Sequence, residues 1–260
     1  MPMHKFTFFD TESTWDQDLH VGDKTIEPDL YRYRIGSKRI FAASAFDLTL
    51  DEQGQITCER ISSWTEHHYG DEEAVVAHLF DHLRARPDYT AVGFGSIATD
   101  VSILTLAAME YGIQRPRQFL KQRPATTLNS LRAHPGGHFD LGLALKGGGK
   151  TWHHLSEVIL RLGLPTSLLQ HKRSVPFPQS AGDWADVRAH IELDAVLLAI
   201  AMMAWCRSEG QTGLDPMMAA LAILEWTRRE ARMTEAMQAL LAEVCHDLTR
   251  RVTERMLLAA

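Results

Sequence analysis

The chain has 260 residues, 45% of them hydrophobic and 23% charged, the ordinary make-up of a globular protein with one large domain or a domain and an extension. A formal net charge of −6 argues against a protein that coats nucleic acid by bulk charge, while leaving room for an enzyme that meets phosphates through metal ions. Cys58, Cys206 and Cys245 are scattered, odd in number and without zinc spacing, which suggests a reducing, cytoplasmic setting; no signal peptide and no apolar run of the roughly 20 residues a membrane span needs is expected.

The first element is a strand over residues 4–10, inside "KFTFFDTEST". "KRIFAASAFDLTL", "DEQGQ" and "ITCERISSW" read as a hairpin with the glycine at its turn. "DEEAVVAHLFDHLRARP" is an amphipathic helix stopped by Pro87. "YTAVGFGS" is a short buried strand, "TDVSILTLAAMEYGI" a helix, "HFDLGLAL" a further strand, and "TWHHLSEVILRLGLP" a helix ending near Gly163 and Pro165. Residues 183–206 form a long apolar helix, and 214–258 are helical with a polar back. Strands placed before and between helices predict an α/β fold, a mixed sheet with helices packed on it.

Carboxylates stand on the apolar faces of these elements. Asp10 and Glu12 lie two apart on the first strand, so they share a face with Phe6 and Phe8. Asp100 opens a helical stripe that continues through Ile103, Leu104, Ala107, Ala108 and Tyr111; an N-cap role for Thr99 or Asp100 explains it as well. Asp194 sits mid-stripe among Val187, Ile191, Leu198, Ala201, Met202 and Trp205, with His190 four residues earlier on the same face. A lone buried carboxylate there costs several kcal/mol unless paired or metal-bound, and an arginine partner is the plain alternative. Gathered like charges call for cations between them, and hard divalent ions with oxygen ligands are the natural remedy.

Order and context resemble the DEDD-type 3′–5′ exonucleases of the ribonuclease H-like superfamily. "FFDTES" is similar to their first motif, "VGFGSIATDVSIL" to the second and "HIELDAVLLAIAMMAW" to the third, over about residues 4–207. The strongest likeness is to stand-alone exonucleases like the proofreading domain of family B DNA polymerases. The resemblance implies a ribonuclease H-like mixed sheet flanked by helices over residues 1–208, with a C-terminal helical extension, 209–260, packed on the same domain. It also implies two Mg²⁺ or Mn²⁺ ions: Asp10 bridging both, Glu12 and Asp194 completing the site that activates water, and Asp100 supporting the second ion. Substrates would be 3′ ends of single-stranded DNA or RNA, with no membrane partner. In the third motif the polymerase-like branch has a tyrosine four residues before the final Asp, where this chain has His190; the other branch has a histidine five before, where this chain has Ala189. An imidazole at that place can take a proton from water.

Other stretches carry weaker signals. "KGGGKT" resembles the end of a phosphate-binding loop, but Ala144 stands where that loop needs glycine. The pairs His67-His68 and His153-His154 read as exposed or helix-start residues, because adjacent side chains diverge. Arg115, Arg117, Lys121 and Arg123 form a basic run that serves as a solvated loop or holds a nucleic-acid backbone. Lys172 and Arg173 precede the third motif, and Trp15 follows the first, where it stacks on a base or packs under a loop. The competing expectation is a catalytically degenerate exonuclease fold that binds nucleic acid or a protein partner without cutting.

Overall fold

The computed structural model describes residues 4–29, 34–51, 53–120, 136–147, 149–170 and 176–259. At its centre is a five-stranded sheet of order β3-β2-β1-β4-β5. Its strands are β1 (His4–Trp15), β2 (Lys38–Leu50), β3 (Ile56–Thr65), β4 (Thr90–Gly93) and β5 (His138–Asp140). β2 runs antiparallel to β1 and β3, while β4 and β5 run parallel to β1. This is a mixed sheet, flanked by helices on both faces.

β1 alternates as a central strand must. Phe6 and Phe8 pack on one face with Phe46, Leu48 and Val92, under helix α7 (Ala181–Ser208). Phe9 packs on the other, under α3 (Glu72–Arg84) and α4 (Asp100–Tyr111). Thr7, on that second face, donates to the fully buried Asp47 at 2.7 Å, and His82 and Arg86 approach the same carboxylate at 3.1 and 2.6 Å. These contacts give the buried charge the partners it requires.

β1 runs to Trp15, beyond the expected end at residue 10, because pairing with β2 continues as far as Lys38. The register shifts between Glu12 and Ser13, which pair with Ala42 and Ile40, so Phe41 is the extra residue on β2. A bulge bends the ribbon and re-aims side chains. Here it lets Phe41 and Ala42, adjacent in sequence, both join Trp184, Val187 and Ile191.

Two short helices escape the sequence reading. α1 (Gln17–Ile26) begins at Asp16, whose side chain accepts from the N–H groups of Asp18 and Leu19. α2 (Glu66–Tyr69) directly follows β3. "HFDLGLAL" is a strand only over His138–Asp140 and then becomes helix α5 (Leu141–Lys146). Asp140 causes the switch by capping the Leu143 N–H at 2.9 Å. The next helix, α6, is confined to Leu155–Arg161.

α7 is long and apolar enough to cross a membrane by length and composition, contrary to the expectation from sequence; 83% of its most apolar stretch is buried inside the fold. It is the core helix of the sheet. Helices α8 (Pro216–Glu230) and α9 (Glu235–Ala259) contribute Met217, Ile223, Leu224, Met237, Leu241 and Leu248 to the same hydrophobic cluster as Phe6, Phe46 and α7.

Candidate active site

β1 delivers Asp10 and Glu12 to the α7 side of its C-terminal half. α7 is pinned there by Ser44 of β2, which pairs with Asp10 in the sheet and whose hydroxyl donates to the Ile191 carbonyl at 2.7 Å. His190 and Asp194, one helical turn apart, therefore face Glu12. His190 Nε2 lies 3.3 Å from Glu12 Oε1 and 3.6 Å from Asp194 Oδ2. The imidazole is buried, and the side chains of Glu12 and Asp194 are 22% and 13% exposed, so all three are largely screened from bulk water while remaining reachable. Glu192, between them in sequence, turns the other way: it accepts from Ser63 of β3 at 2.5 Å and takes no part in this group.

Asp100 arrives from the opposite layer, at the first turn of α4. It accepts hydrogen bonds from Thr11 at 2.5 Å and Thr99 at 2.9 Å and caps nothing. Burial pushes its carboxyl above the ordinary range; the negative charge of Glu12 adds to this, and the two threonine hydroxyls oppose it. Asp100 and Glu12 thus act on each other across β1 as like charges.

The turn that carries Asp100 is built tightly. A side chain at Gly93 would meet Ser96 Oγ at 2.1 Å, and Gly95 has φ +66, a conformation that favours glycine. Asp140 holds this turn through the N–H groups of Gly95 at 2.8 Å and Ile97 at 3.0 Å. Ser96 shares a 2.9 Å hydrogen bond with His138 Nε2. Burial holds the His138 imidazole down at about 4, against the pull of Asp140, so it is neutral near pH 7. Neither Asp140 nor His138 stood out in the sequence as a support of the second motif.

Asp10 opens into an adjacent cleft of about 480 Å³, lined also by Phe94, Gly95, Thr99, Trp152 and His153. The sequence reading passed over Trp152; its only signal was an aromatic residue just after a glycine-rich turn. The "KGGGKT" stretch begins at the last residue of helix α5 and is followed by three residues without regular structure, Trp152–His154, so it lacks the strand–loop–helix setting of a phosphate-binding loop.

The basic residues fall elsewhere or outside the described residues. Arg117 lies close enough to act on Asp88, which Lys5 meets at 2.6 Å. Lys5 to Glu12 is roughly 23 Å along an extended strand, so the structure puts Arg117 at the far end of β1 from the carboxylates. Arg115 donates to Thr105 on α4 at 3.3 Å. Neither is brought to the carboxylate group. Lys121, Arg123, Lys172 and Arg173 lie outside the described residues. Trp15 ends β1, 44% exposed, with the Lys38 ammonium 4.8 Å from its ring centre.

The donor set fits a hard divalent cation in its chemistry: carboxylates from β1, α4 and α7, one of them pushed up by burial and a neighbouring negative charge. Among the described residues, however, no three His, Cys, Asp or Glu side chains are drawn together as a finished set of ligands. The imidazole of His190 lies beside both Glu12 and Asp194.

No protein-family model matches the sequence, and no curated protein matches it. Among solved structures, the fold is similar to the family B DNA polymerase of Pyrobaculum calidifontis, with a TM-score of 0.47 and 13% identity over 86% of this chain and 29% of that one. It is also similar to E. coli exonuclease I, solved with zinc and single-stranded DNA, with a TM-score of 0.41 and 12% identity over 86% of this chain and 43% of that one. The same enzyme with a dT13 oligonucleotide gives a TM-score of 0.38 and 11% identity over 86% and 44%. This chain thus spans less than half the length of each.

Proposed function

We propose that this protein is a metal-dependent 3′–5′ exonuclease acting on single-stranded nucleic-acid ends. The observation that carries the reading is the meeting of Glu12, His190 and Asp194 within 3.6 Å, with Asp100 electrostatically linked to Glu12 and Asp10 opening into the next cleft. Asp10, Glu12, Asp100 and Asp194 would hold Mg²⁺ or Mn²⁺, as two ions in the fuller form of the proposal. Such ions, when bound, supply Lewis acidity and neutralise charge at the scissile phosphate. Thr11 and Thr99 orient Asp100. His190 Nε2 lies against Glu12 and Asp194; with those carboxylates turned to bound ions, that nitrogen would be freed to accept a proton from an attacking water.

A second reading has an observation of its own. A protonated His190 offsets the charge of Glu12 and Asp194 from 3.3 and 3.6 Å, which suits a fold that binds nucleic acid and does not cut it. One experiment separates the two. End-labelled single-stranded DNA and RNA are incubated with the protein and Mg²⁺ or Mn²⁺. A ladder shortening from the 3′ end, absent with EDTA and in Asp194→Asn, supports the nuclease. Retarded but intact strands support the binding module.

A further inference from the structure

We propose that Trp152 and Lys146 form a subsite for the terminal nucleotide of the strand, the base stacking on the indole and a backbone phosphate meeting the ammonium. The inference rests on the nucleic-acid reading of the carboxylate site and assigns its base-binding wall.

The cleft of about 480 Å³ has a chemically mixed lining. Asp10 is part of it, with the Gly95 turn. The same cleft is lined by Trp152, His153 and His154, on the loop between α5 and α6. That volume falls within the usual range for small-ligand sites. Trp152 is 39% exposed, a large apolar area to leave in water beside a charged site. The Lys146 ammonium sits 4.1 Å from the centre of its ring, so a positive charge lies against an indole that lines the cleft. His153 is also exposed, with Nδ1 3.5 Å from a Glu157 carboxylate oxygen, which orients its ring. A flat aromatic surface with an adjoining cation is the combination that holds single-stranded nucleic acid without reading its sequence. Its place in the cleft that Asp10 enters puts the stacked base next to the bond to be cut.

The test compares two single strands in Ca²⁺, one ending in an ordinary 3′ nucleotide and one in an abasic 3′ nucleotide. Equilibrium binding is measured for wild type, Trp152→Ala, Trp152→Phe and Lys146→Ala, with thermal melting as the check on folding. Wild type should prefer the ordinary end by about tenfold. Trp152→Ala should bind both ends alike, and Trp152→Phe should recover part of the preference. Lys146→Ala should keep the preference but lower the salt slope by about one unit. Equal affinity of wild type for the two ends, preference retained in Trp152→Ala, or no binding by wild type would each overturn the subsite. If wild type binds with the preference yet releases no nucleotide in Mg²⁺ or Mn²⁺, the subsite stands and the exonuclease reading fails.

Discussion

His190 Nε2 lies 3.3 Å from Glu12 Oε1, an imidazole of α7 set against a carboxylate of β1. The contact joins the first and third motifs and places an imidazole between two acids. His190→Ala should lower the single-turnover rate by about 10²- to 10⁴-fold with little change in substrate affinity. His190→Tyr should recover part of it, because a phenol orients water without serving as a neutral-pH base. Rates across pH at saturating metal check this. If His190→Ala cleaves as fast as wild type throughout, the histidine is structural.

Asp10→Asn keeps the shape of the side chain and removes its charge. Cleavage should fall by orders of magnitude while the fold persists, since Asp10 is only half-buried on a strand anchored by Phe6, Phe8 and Phe9. Circular dichroism and end-labelled cleavage, run on the same preparation, provide the check.

Asp100 gives a stability prediction with a definite sign. Its folded-state carboxyl is raised by burial and by Glu12, so the folded chain keeps this proton to higher pH than the unfolded chain does. Wild type therefore loses stability from this group as pH rises from the ordinary carboxylate range through the raised value. Asp100→Asn escapes that loss. In EDTA, its melting temperature relative to wild type should climb as pH rises above the ordinary carboxylate value of 3.8. A difference that stays flat across pH would refute the shift.

His138 runs the other way. Its imidazole titrates at about 4 in the folded state, against 6.5 for the ordinary group, so between those values the unfolded chain takes up the proton. The stability present above 6.5 is lost as pH falls toward 4, on the order of 3 kcal/mol when complete. His138→Gln should be less stable near neutrality, because it loses the ring contacts with Phe9 and Phe119, but should show a shallower acid slope. Urea unfolding at a series of pH values measures both effects.

Much of the fold was written in local periodicity. Two-residue alternation placed Asp10 and Glu12 on the face of Phe6 and Phe8, and a four-residue helical spacing put His190 beside Asp194. These relations follow from strand and helix geometry, whatever the rest of the chain does. The switch of "HFDLGLAL" from strand to helix was missed because its apolar run fits either element, and the Asp140 side chain, capping Leu143 and holding the Gly95 turn, decides between them.

What only the tertiary structure decided are relations between residues far apart in sequence. The docking of α7 on β2 through Ser44 and Ile191 turns His190 toward Glu12, and no spacing in the chain encodes that contact. The same packing buries an apolar helix that composition alone would allow in a membrane. Chain direction carried Arg117 to the far end of β1, while the loop after α5 brought Trp152 to the cleft of Asp10. Propensity acts over a few residues. The meeting of distant side chains is set by which apolar faces bury one another, and that is a property of the whole chain.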